Sequence, residues 1–135
     1  MARPLRTRSV NAAQVRAYAG KAQEFADAAQ SELDAGRFIA ATSLAIHAAI
    51  NAADAVCGAR LGQRAAGDDH GQVITLLSRA GPDGLDVERD LRRLIPLKTT
   101  AEYEPDDVSQ TTAAKAVERA TRCVRTARRV ASGMS

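Results

Sequence analysis

The chain has no Trp, two Phe and two Tyr among its 135 residues. With so few rings, a row of aromatic platforms for stacking bases is excluded, and so is a core filled by large side chains. Glycine-rich phosphate loops, CxxC pairs and nucleophile elbows are also absent. The two cysteines, Cys57 and Cys123, lie far apart on predicted helices among apolar neighbours. They read as free core thiols in a reducing cytosol. No strand-like alternation occurs, and no apolar run is expected to reach membrane-spanning length. Residues 1–8 are basic but lead into no signal-peptide core, so a cytoplasmic protein without membrane contact is expected.

What is present is a helical chain. Charged residues make up 26% and hydrophobic ones 45%, with a net charge of +3. This is the balance of an ordinary globular domain, and the length suits a single one. The charge permits nucleic-acid contact without demanding it. Arg3, Arg6 and Arg8 crowd the N-terminus, read as a flexible basic arm over 1–8 ahead of one domain over 9–132.

Ser9 can cap a first helix over Val10–Ala35, with Val15, Tyr18, Ala22, Phe25, Ala26, Ala29 and Leu33 on one side. Gly36 ends it. A second helix runs from Phe38 to about Leu61, before Gly62. Residues 63–67 read as a loop. Asp68 or Asp69 caps a short third helix carrying Val73, Ile74, Leu76 and Leu77. Gly81-Pro82-Asp83-Gly84 reads as a break. A fourth helix holds Leu85, Leu91, Leu94, Ile95 and Leu97, and Pro96 should kink or divide it. Ser109 caps a fifth helix over 110–131, whose inner face is Ala113, Val117, Ala120, Val124, Ala127 and Ala131. Four long helices and one short one, joined by short loops, predict an all-α, antiparallel up-and-down bundle.

The second helix carries the first candidate site. Residues 38–59 contain no Lys, Arg, Glu or Gln. Ser43, His47, Asn51 and Asp54 fall within an arc of about 80° at helical periodicity. A narrow polar stripe on an apolar helix needs a partner. It can orient a substrate or move a proton, or it can hydrogen-bond neighbouring helices as a structural seam. His70, in Asp68-Asp69-His70, sits at a helix start and reads either as part of a solvated capping turn or as a ligand-binding group. His47, Asp54 and His70 lack tight metal-ligand spacing, so neither a metal nor another cofactor is expected.

The fourth helix ends in Lys98-Thr99-Thr100-Ala101-Glu102-Tyr103. Lys98 follows Leu91, Leu94 and Ile95 on the inward side, and Glu102 stands four residues later, where it can pair with it. Tyr103 adds a hydroxyl. The set reads as a phosphate-binding cation beside a proton donor, or as a structural pair and a packed tyrosine. Arg119, Arg122, Arg125 and Arg129 give the fifth helix a basic face, suited to phosphate contact or simply solvated.

Three elements together resemble a known superfamily. They are Ser43-Leu-Ala-Ile-His47 through Asp54-Ala-Val-Cys57, then Gly67-Asp68-Asp69-His70 with Leu76-Leu77, and Leu94-Ile-Pro-Leu-Lys98 through Glu102-Tyr103-Glu-Pro105. The arrangement resembles the HEPN superfamily of small helical bundles, and within it a small branch from high-GC bacteria. The resemblance implies RNA or nucleotide binding or processing, often in toxin–antitoxin or phage-defence systems, and a homodimer. It also implies a cognate antitoxin or nucleotidyltransferase partner. Active members are metal-independent ribonucleases with an Arg, four to six residues, then a His on a late bundle helix. Here the matching position holds Lys98 and Tyr103. Lysine keeps the charge but not the guanidinium fork, and tyrosine is a poor base near neutral pH. The change puts ribonuclease activity in question rather than the fold. Arg64 and His70 also match the spacing but span a loop, which reads as coincidence. The competing function is a non-catalytic dimeric interaction module in which the stripe is structural.

Overall fold

In a computed structural model of the chain, residues 4–67 and 69–134 are described. The elements are β1 (Thr7–Ser9), α1 (Ala12–Asp34), α2 (Phe38–Leu61), β2 (Gln63–Ala65), α3 (His70–Leu77), α4 (Gly81–Glu102) and α5 (Gln110–Ser132). The four long helices form the antiparallel bundle the sequence predicts, with α3 as the short fifth helix.

The bundle is organised around α2. A long helix nearly free of charge must be covered on most sides, and α1, α5, α4 and α3 all pack against it. Its buried positions include Ala41, Ala45, Ala48, Ala49, Ala52, Ala53 and Ala55. Small side chains let the neighbouring helices approach closely. The expected absence of a membrane-length apolar run does not hold. α2 has 24 residues and a mean hydropathy of 1.3, long and apolar enough to cross a bilayer. The fold uses it as a core helix, with 61% of its apolar window buried. α5 turns the predicted face inward: Ala113, Val117, Ala120, Val124, Ala127 and Ala131 are all buried, joined by Cys123. Cys57 and Cys123 are both free and buried.

The N-terminal arm differs from expectation. Thr7–Ser9 pair antiparallel with Gln63–Ala65, in the register Thr7 to Ala65, Arg8 to Arg64 and Ser9 to Gln63. The Arg6 N–H also donates to Gln72 Oε1 at 3.2 Å. The segment expected as a loop over 63–67 thus supplies the partner strand. Arg3 lies outside the described residues. Ser9 is a strand residue, and Asn11 caps α1 instead. Its side chain accepts from the Gln14 N–H at 2.8 Å, while Gln14 Oε1 accepts from the Asn11 N–H at 2.9 Å. This reciprocal box satisfies two otherwise orphaned donors. Gly58, on the last turns of α2, lets the β1–α1 junction close over it. A Cβ there would lie 2.7 Å from Val10 Cγ1 and 2.8 Å from Val15 Cγ2. Gly62 then ends α2 in the left-handed region, at φ 68°.

Asp69 caps α3 by accepting from the Gly71 N–H at 2.9 Å, and Asp68 lies outside the described residues. The Gly81–Gly84 sequence forms the first turn of α4 rather than a longer break. Pro82 fits there because its missing N–H would have had no helical partner. Pro96 does not divide α4, which continues to Glu102. Leu91 and Leu94 before it and Ala101 after it are buried, so packing on both sides outweighs one lost backbone bond. Ser109 caps α5 as predicted, accepting from the Thr112 N–H at 3.1 Å.

Candidate functional site

The stripe on α2 stays together as a face, but its members have different partners. At its N-terminal end Ser43 Oγ donates to Glu102 Oε1 at 3.0 Å. His47 Nε2 lies 3.3 Å from the same oxygen. The sequence pairs Glu102 with Lys98 along α4. The structure turns it across to α2 instead, because the antiparallel packing sets the end of α4 beside the start of α2. The His47 ring also lies 5.6 Å from the Phe25 ring of α1, tilted by 33°. This end of the stripe opens into a cleft of about 840 Å³ lined by Phe38, Ile39, Ser43, Ala101, Glu102 and Val108, among others.

Farther along α2 the surroundings change. Asn51 Nδ2 donates to the His47 carbonyl at 2.9 Å, one turn back in its own helix. Asp54 makes no hydrogen bond among the described residues. Burial pushes its carboxyl up to about 6, and the positive charge of Arg64 pulls it partly back. Arg64 sits on β2, with its guanidinium carbon 5.7 Å from the Tyr18 ring centre. Arg64 therefore belongs to the electrostatics of this face. No local sequence signal marks this, because Arg64 reaches the face only through the pairing of β2 with β1.

Lys98 and His70 meet. Lys98 Nζ lies 3.0 Å from His70 Nε2, joining α4 to the start of α3. An ammonium group only donates, so the imidazole Nε2 is the acceptor in this contact. His70 is thus engaged with a helix 28 residues away, beyond a capping turn in solvent. Tyr103 follows α4 as its C-cap and is 74% exposed. Its hydroxyl does not join Lys98 in an enclosed site, because the helix ends there and the side chain turns outward.

The basic face of α5 divides in two. Arg122 grips buried Asp90 of α4 with two hydrogen bonds, Nε to Oδ2 at 3.1 Å and Nη2 to Oδ1 at 2.7 Å. It also reaches Glu118 at 3.1 Å. Arg129 binds Asp83 at 2.8 Å, and Asp83 binds Arg60 at 2.6 Å. Together the two arginines hold the Asp83 carboxyl below its ordinary value. Arg122 and Arg129 are therefore fasteners between helices. Arg119 and Arg125 make no ion pair among the described residues, so they alone of the four keep the form of a solvated track. Sequence reasoning missed Asp90 because an acid on an amphipathic helix is ordinarily solvent-facing.

Burial raises both thiols, Cys57 to about 12 and Cys123 further. Neither is a nucleophile in the folded state.

Comparison with family models matches residues 15–131 to the HEPN domain. No curated protein matches the chain.

Proposed function

The chain belongs to the HEPN domain family, and on that premise we propose that it binds RNA or a nucleotide through phosphate at Lys98 and His70. The observation that carries this reading is the 3.0 Å contact between Lys98 Nζ and His70 Nε2. Active members, as the resemblance implies, place a cation and an imidazole together on one helix. Here a cation and an imidazole come together from two helices, with an ammonium in place of the guanidinium. Lys98 uses one of its three donors on His70, which leaves two for phosphate oxygens. On the α2 stripe, burial pushes the Asp54 carboxyl up to about 6, which makes it a second group able to exchange a proton close to neutral pH.

The toxin–antitoxin or phage-defence setting, and a cognate antitoxin or nucleotidyltransferase partner, are part of the same proposal and rest on family resemblance. Homodimerisation belongs to it too. Its interface would lie off the Ala-rich face of α2, which is buried within the chain.

A second reading is a non-catalytic interaction module. It is favoured by Ser43, His47 and Asn51 all having partners inside the chain. Binding of a short single-stranded RNA and of a nucleoside monophosphate at low salt separates the two. The phosphate reading expects Lys98→Met to weaken binding more than Arg119→Gln or Arg125→Gln does. One distributed phosphate contact should mainly lower the salt slope by about one. A wild-type protein that binds neither probe supports the interaction module.

A further inference from the structure

The cleft between the start of α2 and the end of α4 has about 840 Å³ of space, within the range of sites for small organic ligands. Phe38, Ile39, Ala40, Ala101 and Val108 give it apolar walls. Ile39 is 41% exposed, unusual for a large aliphatic side chain in this fold. Glu102 lies in the wall, and only 19% of its side chain is exposed.

Glu102 is held in place from one side. Both the Ser43 hydroxyl and His47 Nε2 fall on Oε1. Oε2 makes no hydrogen bond among the described residues. No buried side-chain oxygen among them lacks a partner, so Oε2 keeps access to solvent. The carboxylate is thus positioned by two neighbours with one oxygen open for a donor.

Charge decides what that donor is. Glu102 and Asp107 both line the cleft. The one lining cation, Arg37, is already paired with Glu32 of α1. The first turn of α2 forms part of the wall and lacks a side-chain cap, which by itself would favour an anion. A helix N-terminus contributes about half an elementary charge, against two full carboxylates. The carboxylates win. The geometry points to a site for a small organic amine: an ammonium head on Glu102 and an apolar body against Phe38 and Ile39. Lys98, the cation of the phosphate reading, stands one turn earlier on α4, but it contacts His70 and does not line this cleft.

Phenethylamine is the direct probe, with phenylacetate and 2-phenylethanol as anionic and neutral counterparts. Each is titrated into the full chain while backbone amide shifts are followed by NMR. Phenethylamine should bind in the millimolar range or tighter and move the amides of residues 38–40, Ser43 and Ala101–Glu102. Glu102→Gln should weaken it by about tenfold or more, the value of a charge-assisted hydrogen bond. Asp107→Asn lies at an exposed position and leaves the fold intact, so a smaller loss there supports the site even if Glu102→Gln melts early. Phenylacetate binding as tightly as the amine would overturn the proposal in favour of an anion site at α2. So would the absence of shifts at these residues at millimolar amine, or equal amine affinity in wild type and both variants.

Discussion

Replacing Asp54 with Asn should make the protein more stable near neutral pH and leave it unchanged in acid. Burial raises the Asp54 carboxyl from its ordinary 3.8 to about 6, with Arg64 offsetting part of the effect. The folded state therefore holds this proton more tightly than the unfolded chain does. Well below 3.8, at about pH 3 and lower, both states are protonated and the group costs nothing. Between about pH 4 and 6 the unfolded chain gives up the proton first, so stability falls as pH rises. Above about pH 6 the full cost of a buried, ionised carboxylate is present. A move from 3.8 to about 6 corresponds to at most about 3 kcal/mol. Asn has nearly the same shape and no charge to desolvate. Urea denaturation of wild type and Asp54→Asn at about pH 3 and pH 7.5 should give coincident midpoints in acid and a later midpoint for the variant at the higher pH. In a thermal melt the gain should be on the order of 10 °C. A variant less stable than wild type at neutral pH, or a difference that does not change with pH, would refute the reasoning. If the same variant also loses RNA or nucleotide binding, the carboxylate is kept at a stability cost because the site uses it.

Asp90 tests the fastening of α5 to α4. Asp90→Ala removes two hydrogen bonds from a buried partner of Arg122 and should cost about 1–3 kcal/mol. Glu118→Ala removes the exposed contact of the same arginine and should cost no more than about 1 kcal/mol. Similar losses in the two melts would contradict the division made here. Gly58→Ala should cost about 1–3 kcal/mol, because the new methyl meets Val10 and Val15 at the junction that closes α1 onto α2. A neutral effect in denaturant titration would mean that the two valines move aside.

The helices were legible because their signals are local. The caps at Asp69 and Ser109, the stop at Gly62 and the small-residue face of α5 are all written within a few residues of where they act. The membership of the polar stripe was equally legible, since a period of 3.6 residues sets it. Its partners were not. Glu102 has a plausible companion in Lys98 along the helix, and only the packing of α4 on α2 sends it to Ser43 and His47. His70 and Lys98 are 28 residues apart with a helix start between them. Arg64 reaches the face of Asp54 only because Gln63–Ala65 pairs with Thr7–Ser9. Two three-residue strands carry too little alternation to be seen in sequence. Arg122 and Arg129 looked like a basic surface because their acids, Asp90 and Asp83, lie on another helix.

The central claim is that phosphate seats at Lys98 and His70. NMR observation of the His70 imidazole nitrogens and the Lys98 side-chain ammonium during titration with a short single-stranded RNA at low salt tests it most directly. Both groups should shift together, with the same saturation, and Lys98→Met should abolish the response at His70. Shifts confined to Arg119 and Arg125 of α5, with His70 and Lys98 unmoved at saturation, would contradict the account and place the contact on the solvated face of that helix.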